Sequence, residues 1–213
     1  MPKWITRDQR NNEWSQARLG CLTASRFADA IALTKKGDDT EARRKYKLQL
    51  VAERLSGCAA DFHITDAMQR GIEMEYAARQ SFEAVTGLLV EECGFALHDT
   101  IEHCGASPDG LIGDDGILEI KCPTTARHLE YLIAGTVPVQ HVPQMNLQLM
   151  VTGRKYGWFV SYDDRLPPPY DMFMARYEPT GSELLECETQ ARDFLTEVDL
   201  LVNHIKRSYE NGY

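Results

Sequence analysis

Hydrophobic and polar positions divide the chain into a helical first part, a strand-rich middle and a helical end. Thr23 precedes an apolar-rich stretch, 24–32, with Phe27 and Ile31 four apart, which predicts a short helix capped by Thr23. After Thr40, residues Tyr46, Leu50, Val51 and Leu55 recur at helical spacing up to Gly57. A helix over 41–56 follows, with a threonine cap before it and a C′ glycine after it. A third helix, about 66–86, places Ile72, Tyr76 and Ala77 on one side and stops at Gly87. Glu75 and Arg79 stand four apart on it and can pair on one face.

From Leu88 the period changes. Residues 88–97, 105–112 and 116–123 are short runs separated by Gly and Asp, which predicts consecutive strands. Residues 124–134 and 138–152 read as helices, the second interrupted or started late by Pro143. Two more strands, 155–162 and 170–177, flank the turn Pro167-Pro168-Pro169. From 182 to about 209 runs a long amphipathic helix carrying Leu184, Leu185, Phe194, Val198, Leu201 and Ile205. This order predicts an α/β (α+β) fold in one domain, 1–213, without linker or repeat. Its parts are a helical N-terminal portion to about 87, a sheet with helices over about 88–178, and a closing helix over about 180–210.

Composition narrows the class. With 213 residues, 43% hydrophobic and 26% charged, the chain suits a globular core rather than disorder. The six cysteines are scattered without a CxxC pair, which disfavours a zinc ribbon and suits free thiols in a reducing cytoplasm. No apolar signal segment opens the sequence and no run of about 18 apolar residues occurs, so a cytoplasmic protein is expected. The formal charge of −9 argues at face value against a nucleic-acid partner. Its distribution changes that picture. Residues 1–60 carry 12 basic and 7 acidic side chains, while 61–181 carry 8 and 18. The basic run Arg43-Arg44-Lys45 with Lys47 reads either as a phosphate-facing surface or as a solvated helix face. Excess carboxylates in a core region call for a cation.

The segment that carries chemistry is Ser107-Pro108-Asp109, nine residues, then Glu119-Ile120-Lys121. On a strand, Glu119 and Lys121 share one face while Ile120 points to the other. The turn Gly113-Asp114-Asp115-Gly116 folds the two strands together. A three-residue loop over 114–116 would set Asp109 opposite Lys121 and diagonal to Glu119. Two carboxylates and an ammonium on one face fit hard-cation chemistry: Mg²⁺ takes one or two carboxylates with water and phosphate oxygens. A lysine beside it can orient water or stabilise developing charge. The alternative is a surface hairpin with solvated charges.

Ser107-Pro108-Asp109-Gly110 and Glu119-Ile120-Lys121-Cys122-Pro123 resemble the PD-(D/E)xK nuclease core, in its lambda-type exonuclease (YqaJ-like) branch. Three further segments match that branch in order: Trp14 with 18–25, the helix segment 70–75, and 143–148 followed by Trp158-Phe159 and Tyr162-Asp163. The resemblance implies a restriction-endonuclease-like fold, a small mixed central sheet flanked by helices. It implies that Asp109, Glu119, the main-chain carbonyl of Ile120 and Glu75 hold Mg²⁺, two ions with Mn²⁺ able to substitute, and that Lys121 acts on the attacking water. It further implies that Arg18, Ser25, Ser107 and Gln144 bind the 5′-phosphate of the digested strand. Glu73 competes with Glu75 for the helix carboxylate. The implied activity is a 5′→3′ exonuclease on linear double-stranded DNA, releasing 5′-mononucleotides and leaving a 3′ overhang for strand annealing. The implied partners are two further copies in a ring-shaped homotrimer and a phage single-strand annealing protein, without a membrane. Alternatives are an endonuclease or RecB-like nuclease of the same core, or a non-catalytic relic that only binds. The six histidines form no ligand-spaced cluster and read as ordinary; Trp158–Tyr162 read as core.

Overall fold

A computed structural model describes residues 2–59 and 65–210. His63 lies outside the described residues. The elements run β1 (Lys3–Trp4), α1 (Asn12–Ala17), β2 (Leu22–Thr23), a 3₁₀ turn (Ala24–Arg26), α2 (Phe27–Ala30), α3 (Glu41–Ser56) and α4 (Asp66–Thr86). Strands β3 (Val90–Glu91), β4 (Ala96–Leu97), β5 (Cys104–Ala106), β6 (Gly110–Ile112) and β7 (Gly116–Lys121) follow. Then come α5 (Thr125–Ala134), a 3₁₀ turn (Val139–His141), α6 (Val142–Thr152), β8 (Tyr156–Tyr162), β9 (Met172–Tyr177) and α7 (Gly181–Glu210).

Local chemistry fixes most of the helices. The Thr40 hydroxyl accepts from the Arg43 N–H at 3.3 Å, and Gly57 closes α3 at φ +68°, a left-handed value that glycine adopts without strain. Thr124 and Gly135 do the same for α5. Pro143 sits in the first turn of α6, where its missing N–H costs nothing. The expected helix over 24–32 is instead split into a 3₁₀ turn and the short α2, and Thr23 makes no capping bond to it. Thr23 belongs to β2, so its backbone is committed to β5.

Two expected strands are each broken in the middle, and the breaks build a second sheet. A five-stranded mixed sheet has the order β3-β6-β7-β8-β9, parallel only between β7 and β8. The other sheet is four-stranded, in the order β1-β4-β5-β2. Residues 88–97 leave the first sheet after β3 and enter the second at β4. Residues 105–112 return from the second at β5 to the first at β6. Alternation alone could not separate one long strand from two short ones that change sheets. Gly94 marks the first crossing: a Cβ there would run into the hydroxyl and main chain of Thr6.

Three apolar clusters set the layers. Phe82 and Ala78 of α4 pack on Leu118, Ile120 and Val160 of the five-stranded sheet. Tyr131, Met145, Phe159 and Phe173 fill its opposite face under α5 and α6. Helices α2, α3, α6 and α7 enclose the third, around Tyr46, Leu50, Leu147 and Phe194. Each fully buried large side chain contributes about 1.5–3 kcal/mol of transfer free energy. Trp158 lies against the α4 cluster, as expected of a core residue. No described helix is long and apolar enough to cross a membrane, and the six cysteines are unpaired thiols.

Candidate active site

Strand β7 is the axis of the site. Its pleat sends Leu118 and Ile120 towards α4 and Glu119 and Lys121 towards α6, where Gln144 and Gln148 reach Glu119. The hairpin register is Gly110↔Leu118, Leu111↔Ile117 and Ile112↔Gly116. The loop is therefore Gly113–Asp115, one residue earlier than the expected 114–116, with Gly113 at φ +51° taking the left-handed position. Pairing ends at Gly110: the Asp109 N–H donates to the Leu118 carbonyl at 2.9 Å and its carboxylate accepts from the Ile120 N–H, so Asp109 does not pair with Lys121.

All nine side or main chains singled out in the sequence line one cavity of about 500 Å³: Arg18, Ser25, Glu75, Ser107, Asp109, Glu119, Ile120, Lys121 and Gln144. The break between β5 and β6 is what turns Ser107 and Asp109 into it. Glu73 does not line the cavity. It is exposed and accepts from Gln69 at 2.8 Å, so the helix carboxylate facing the site is Glu75.

Each carboxylate is held by donors. Glu119 is 1% exposed; Oε1 accepts from Gln144 Nε2 at 2.6 Å and from Lys121 Nζ at 2.5 Å, and Oε2 accepts from Gln148 Nε2 at 2.5 Å. Asp109 Oδ2 accepts from the Ile120 N–H at 2.6 Å. Glu75 Oε1 pairs with Arg79 at 3.2 Å, and Oε2 pairs with Arg10. Burial raises the Asp109 carboxyl well above the usual carboxylate range, and the like charges of Glu119 and Glu75 add to it. Burial alone would lower the Lys121 ammonium, but Glu119 and Asp109 outweigh it and raise it. Lys121 is thus a protonated donor at neutral pH.

A second group of residues forms an anion-receptive wall. Trp14 Nε1 donates to the Ser107 hydroxyl at 2.9 Å, and the Arg18 guanidinium lies 4.0 Å from the Trp14 ring centroid. Arg18 forms no ion pair or hydrogen bond with a described side chain, so its donors are free for an anion. Ser25 stands within 3.5 Å of the Thr23 hydroxyl. Gln144, expected among the phosphate ligands, donates one amide N–H to Glu119.

The acidic set offers only oxygen, which suits a hard cation. The mutual repulsion that lifts Asp109 is what such a cation would relieve. As they stand, the carboxylates face protein donors, and among the described residues no three acidic, His or Cys side chains are gathered as a ligand set.

Sequence reasoning missed Gln9, Arg10, Tyr131, His141 and Gln148. Gln148 follows Gln144 by one helical turn, a signal that was available. His141, three residues before Gln144, stacks on Phe159 with centroids 5.0 Å apart and meets Tyr131 Oη at 3.1 Å. Burial, with Lys121 nearby, pulls it down to about 4. The N-terminal loop carried no signal; Gln9 hooks it on by donating to the Cys93 and Pro108 carbonyls at 2.9 and 2.7 Å. The basic run reads differently in three dimensions. Arg43 and Lys47 are buried against Asp39 and Glu197, and Lys45 pairs with Glu41, so among the described residues only Arg44 of that run faces solvent without an ion pair.

Residues 13–155 match the YqaJ-like viral recombinase domain. No curated protein matches the chain. Among solved structures, the alkaline exonuclease LHK-Exo from Laribacter hongkongensis is 41% identical with a TM-score of 0.87, covering 94% of this chain and 99% of that one. The same values hold for LHK-Exo in complex with dAMP. A phage related exonuclease from Haemophilus somnus 129PT, 13% identical with a TM-score of 0.67 over 87% of this chain and 96% of that one, shares the fold. With two thirds of its length in the family domain and a full-length structural relative at this identity, the chain belongs to the YqaJ-like viral recombinase family.

Proposed function

We propose that the protein is a Mg²⁺-dependent 5′→3′ exonuclease that degrades one strand of linear double-stranded DNA. The observation that carries this reading is the convergence of Asp109, Glu119, Lys121 and Glu75 with Arg18, Ser25 and Ser107 in one cavity. The likeness to an alkaline exonuclease, itself solved with dAMP, supports it.

Asp109, Glu119, the Ile120 carbonyl and Glu75 would hold Mg²⁺, one ion or two, which supplies Lewis acidity and lowers the pKa of water. The remaining work falls to the chain itself. Lys121, protonated and fixed by Glu119, donates to charge developing on the phosphoryl oxygens, which a dry site rewards most. Gln144 and Gln148 hold the Glu119 carboxylate in place. Arg18, free of any carboxylate and braced on Trp14, offers a fork to a terminal phosphate, with the hydroxyls of Ser25 and Ser107 beside it. A 5′-phosphate seated there would bring the first phosphodiester towards Asp109 and Glu119. In the same reading three copies form a ring around DNA and hand the 3′ overhang to a single-strand annealing protein.

Purified protein with Mg²⁺ should shorten a 5′-phosphorylated linear duplex, act more slowly on its 5′-hydroxyl twin, and leave closed circular DNA intact. Cutting of the closed circle would replace the proposal with an endonuclease. Mass measurement of the assembly tests the ring, with a trimer as the expected result.

A further inference from the structure

Glu75 is gripped on both oxygens by two arginines of different character. Arg79 is one turn along α4 and its side chain is 10% exposed, so the helix itself fixes that partner on Oε1. Arg10 comes from the N-terminal loop, is 40% exposed, and takes Oε2. Its backbone is left-handed, at φ +64°, a region that arginine seldom occupies. The conformation persists because Gln9, one residue earlier, is tied to the Cys93 and Pro108 carbonyls. Arg10 lines both the main cavity and the smaller one beside it, which is walled by Tyr76, Arg79 and Glu92.

A guanidinium on the cavity side of a site carboxylate occupies the position a cation would claim. We propose that Arg10 is a built-in competitor for the divalent cation: it neutralises Glu75 in the cation-free protein and must be displaced when the site loads. Arg79 stays and orients the carboxylate. This rests on the reading of Glu75 as a cation-holding residue. Arg10 is a positioning residue, and its effect is on cation affinity before DNA arrives. Displacement moves only a side chain from a loop, with no cost to α4, and frees Arg10 into a cavity already furnished for phosphate. The contact would screen the Glu75 charge until the cation is present.

The test is calorimetric titration of Mn²⁺ into the full chain without DNA, comparing wild type with three variants. Arg10→Asn removes the guanidinium and places at the left-handed position a residue that tolerates it. Arg7→Gln removes the same charge from the same exposed segment, at a side chain that lines neither cavity. Arg10→Asn should bind Mn²⁺ about two- to fivefold more tightly than Arg7→Gln, the range expected for release of a partly exposed ion pair. Arg10→Lys, which keeps the charge but loses the fork, should fall between Arg10→Asn and wild type. Equal or weaker Mn²⁺ binding by Arg10→Asn overturns the proposal while leaving the cation site standing. Mn²⁺ uptake by none of the proteins removes the cation reading and this proposal together.

Discussion

Replacing Asp109 by Asn should stabilise the cation-free protein while abolishing hydrolysis. The reason is electrostatic: the Asp109 carboxylate sits at the Ile120 N–H, beside Glu119, and the like charges of Glu119 and Glu75 act on it. Two charges about 5 Å apart repel by about 3 kcal/mol at an effective dielectric near 20. Lys121 offsets part of this, leaving about 1–2 kcal/mol of relief, or roughly 2–8 °C in Tm for a chain of this size. The amide keeps an oxygen for the Ile120 N–H, so that bond survives. Because the folded-state pKa of Asp109 is raised, the native protein holds that proton more tightly than the unfolded chain does. The Asp109 contribution to stability is therefore favourable at low pH and is lost as pH rises through the raised value. In EDTA the advantage of Asp109→Asn should vanish near pH 4 and grow as pH rises. Thermal unfolding of both proteins across that range is the assay. A variant that is less stable than wild type at pH 8, or a difference independent of pH, would show that repulsion does not govern this carboxylate.

Other consequences follow from the same geometry. Arg43→Ala should lower stability by about 2 kcal/mol, roughly 4–8 °C in Tm, because Asp39 and Glu197 lose a nearly buried partner; a melt within about 1 °C of wild type would show the network to be idle. His141, held down to about 4, should remain neutral through pH 5, and its own contribution to stability should fall by about 1 kcal/mol per unit as pH drops from about 6.5 towards 4. His141→Gln should flatten that slope in equilibrium denaturation, and an unchanged slope counts against the assignment. Trp14→Phe removes the donor to the Ser107 hydroxyl but keeps a ring under Arg18. It should reduce the preference for 5′-phosphate over 5′-hydroxyl ends by roughly five- to tenfold, the worth of one hydrogen bond, and an unaltered preference would detach Trp14 from the phosphate wall.

Helices with strong local punctuation were legible in the sequence: Thr40 and Gly57 bound α3 as the spacing predicts, and α7 runs Gly181–Glu210 against an expected 182 to about 209. That Glu119 and Lys121 share a face of β7 was legible as well, because the two-residue period of a strand fixes it. The hairpin register was not, since Gly113 and Gly116 can each end the loop and only the left-handed φ of Gly113 decides between them. Nor was the second sheet, whose strands of two or three residues are held by pairing across long sequence distances rather than by any pattern of their own. Charge runs misled for a related reason. Arg43 and Lys47 find their partner Glu197 some 150 residues later, on α7, and no local window contains it.

Strand polarity is the decisive observable for the proposed activity. A linear duplex with 5′-phosphates, labelled on one strand at its 5′ end or at its 3′ end, is incubated with the protein in Mg²⁺, in EDTA, and with Asp109→Ala. The 5′ label should appear first, as a mononucleotide, while the 3′ label stays on a shortening strand, and both other conditions should leave the duplex whole. Early release of the 3′ label, or equal digestion in EDTA or by Asp109→Ala, would rule out a cation-dependent 5′→3′ exonuclease built on this cavity.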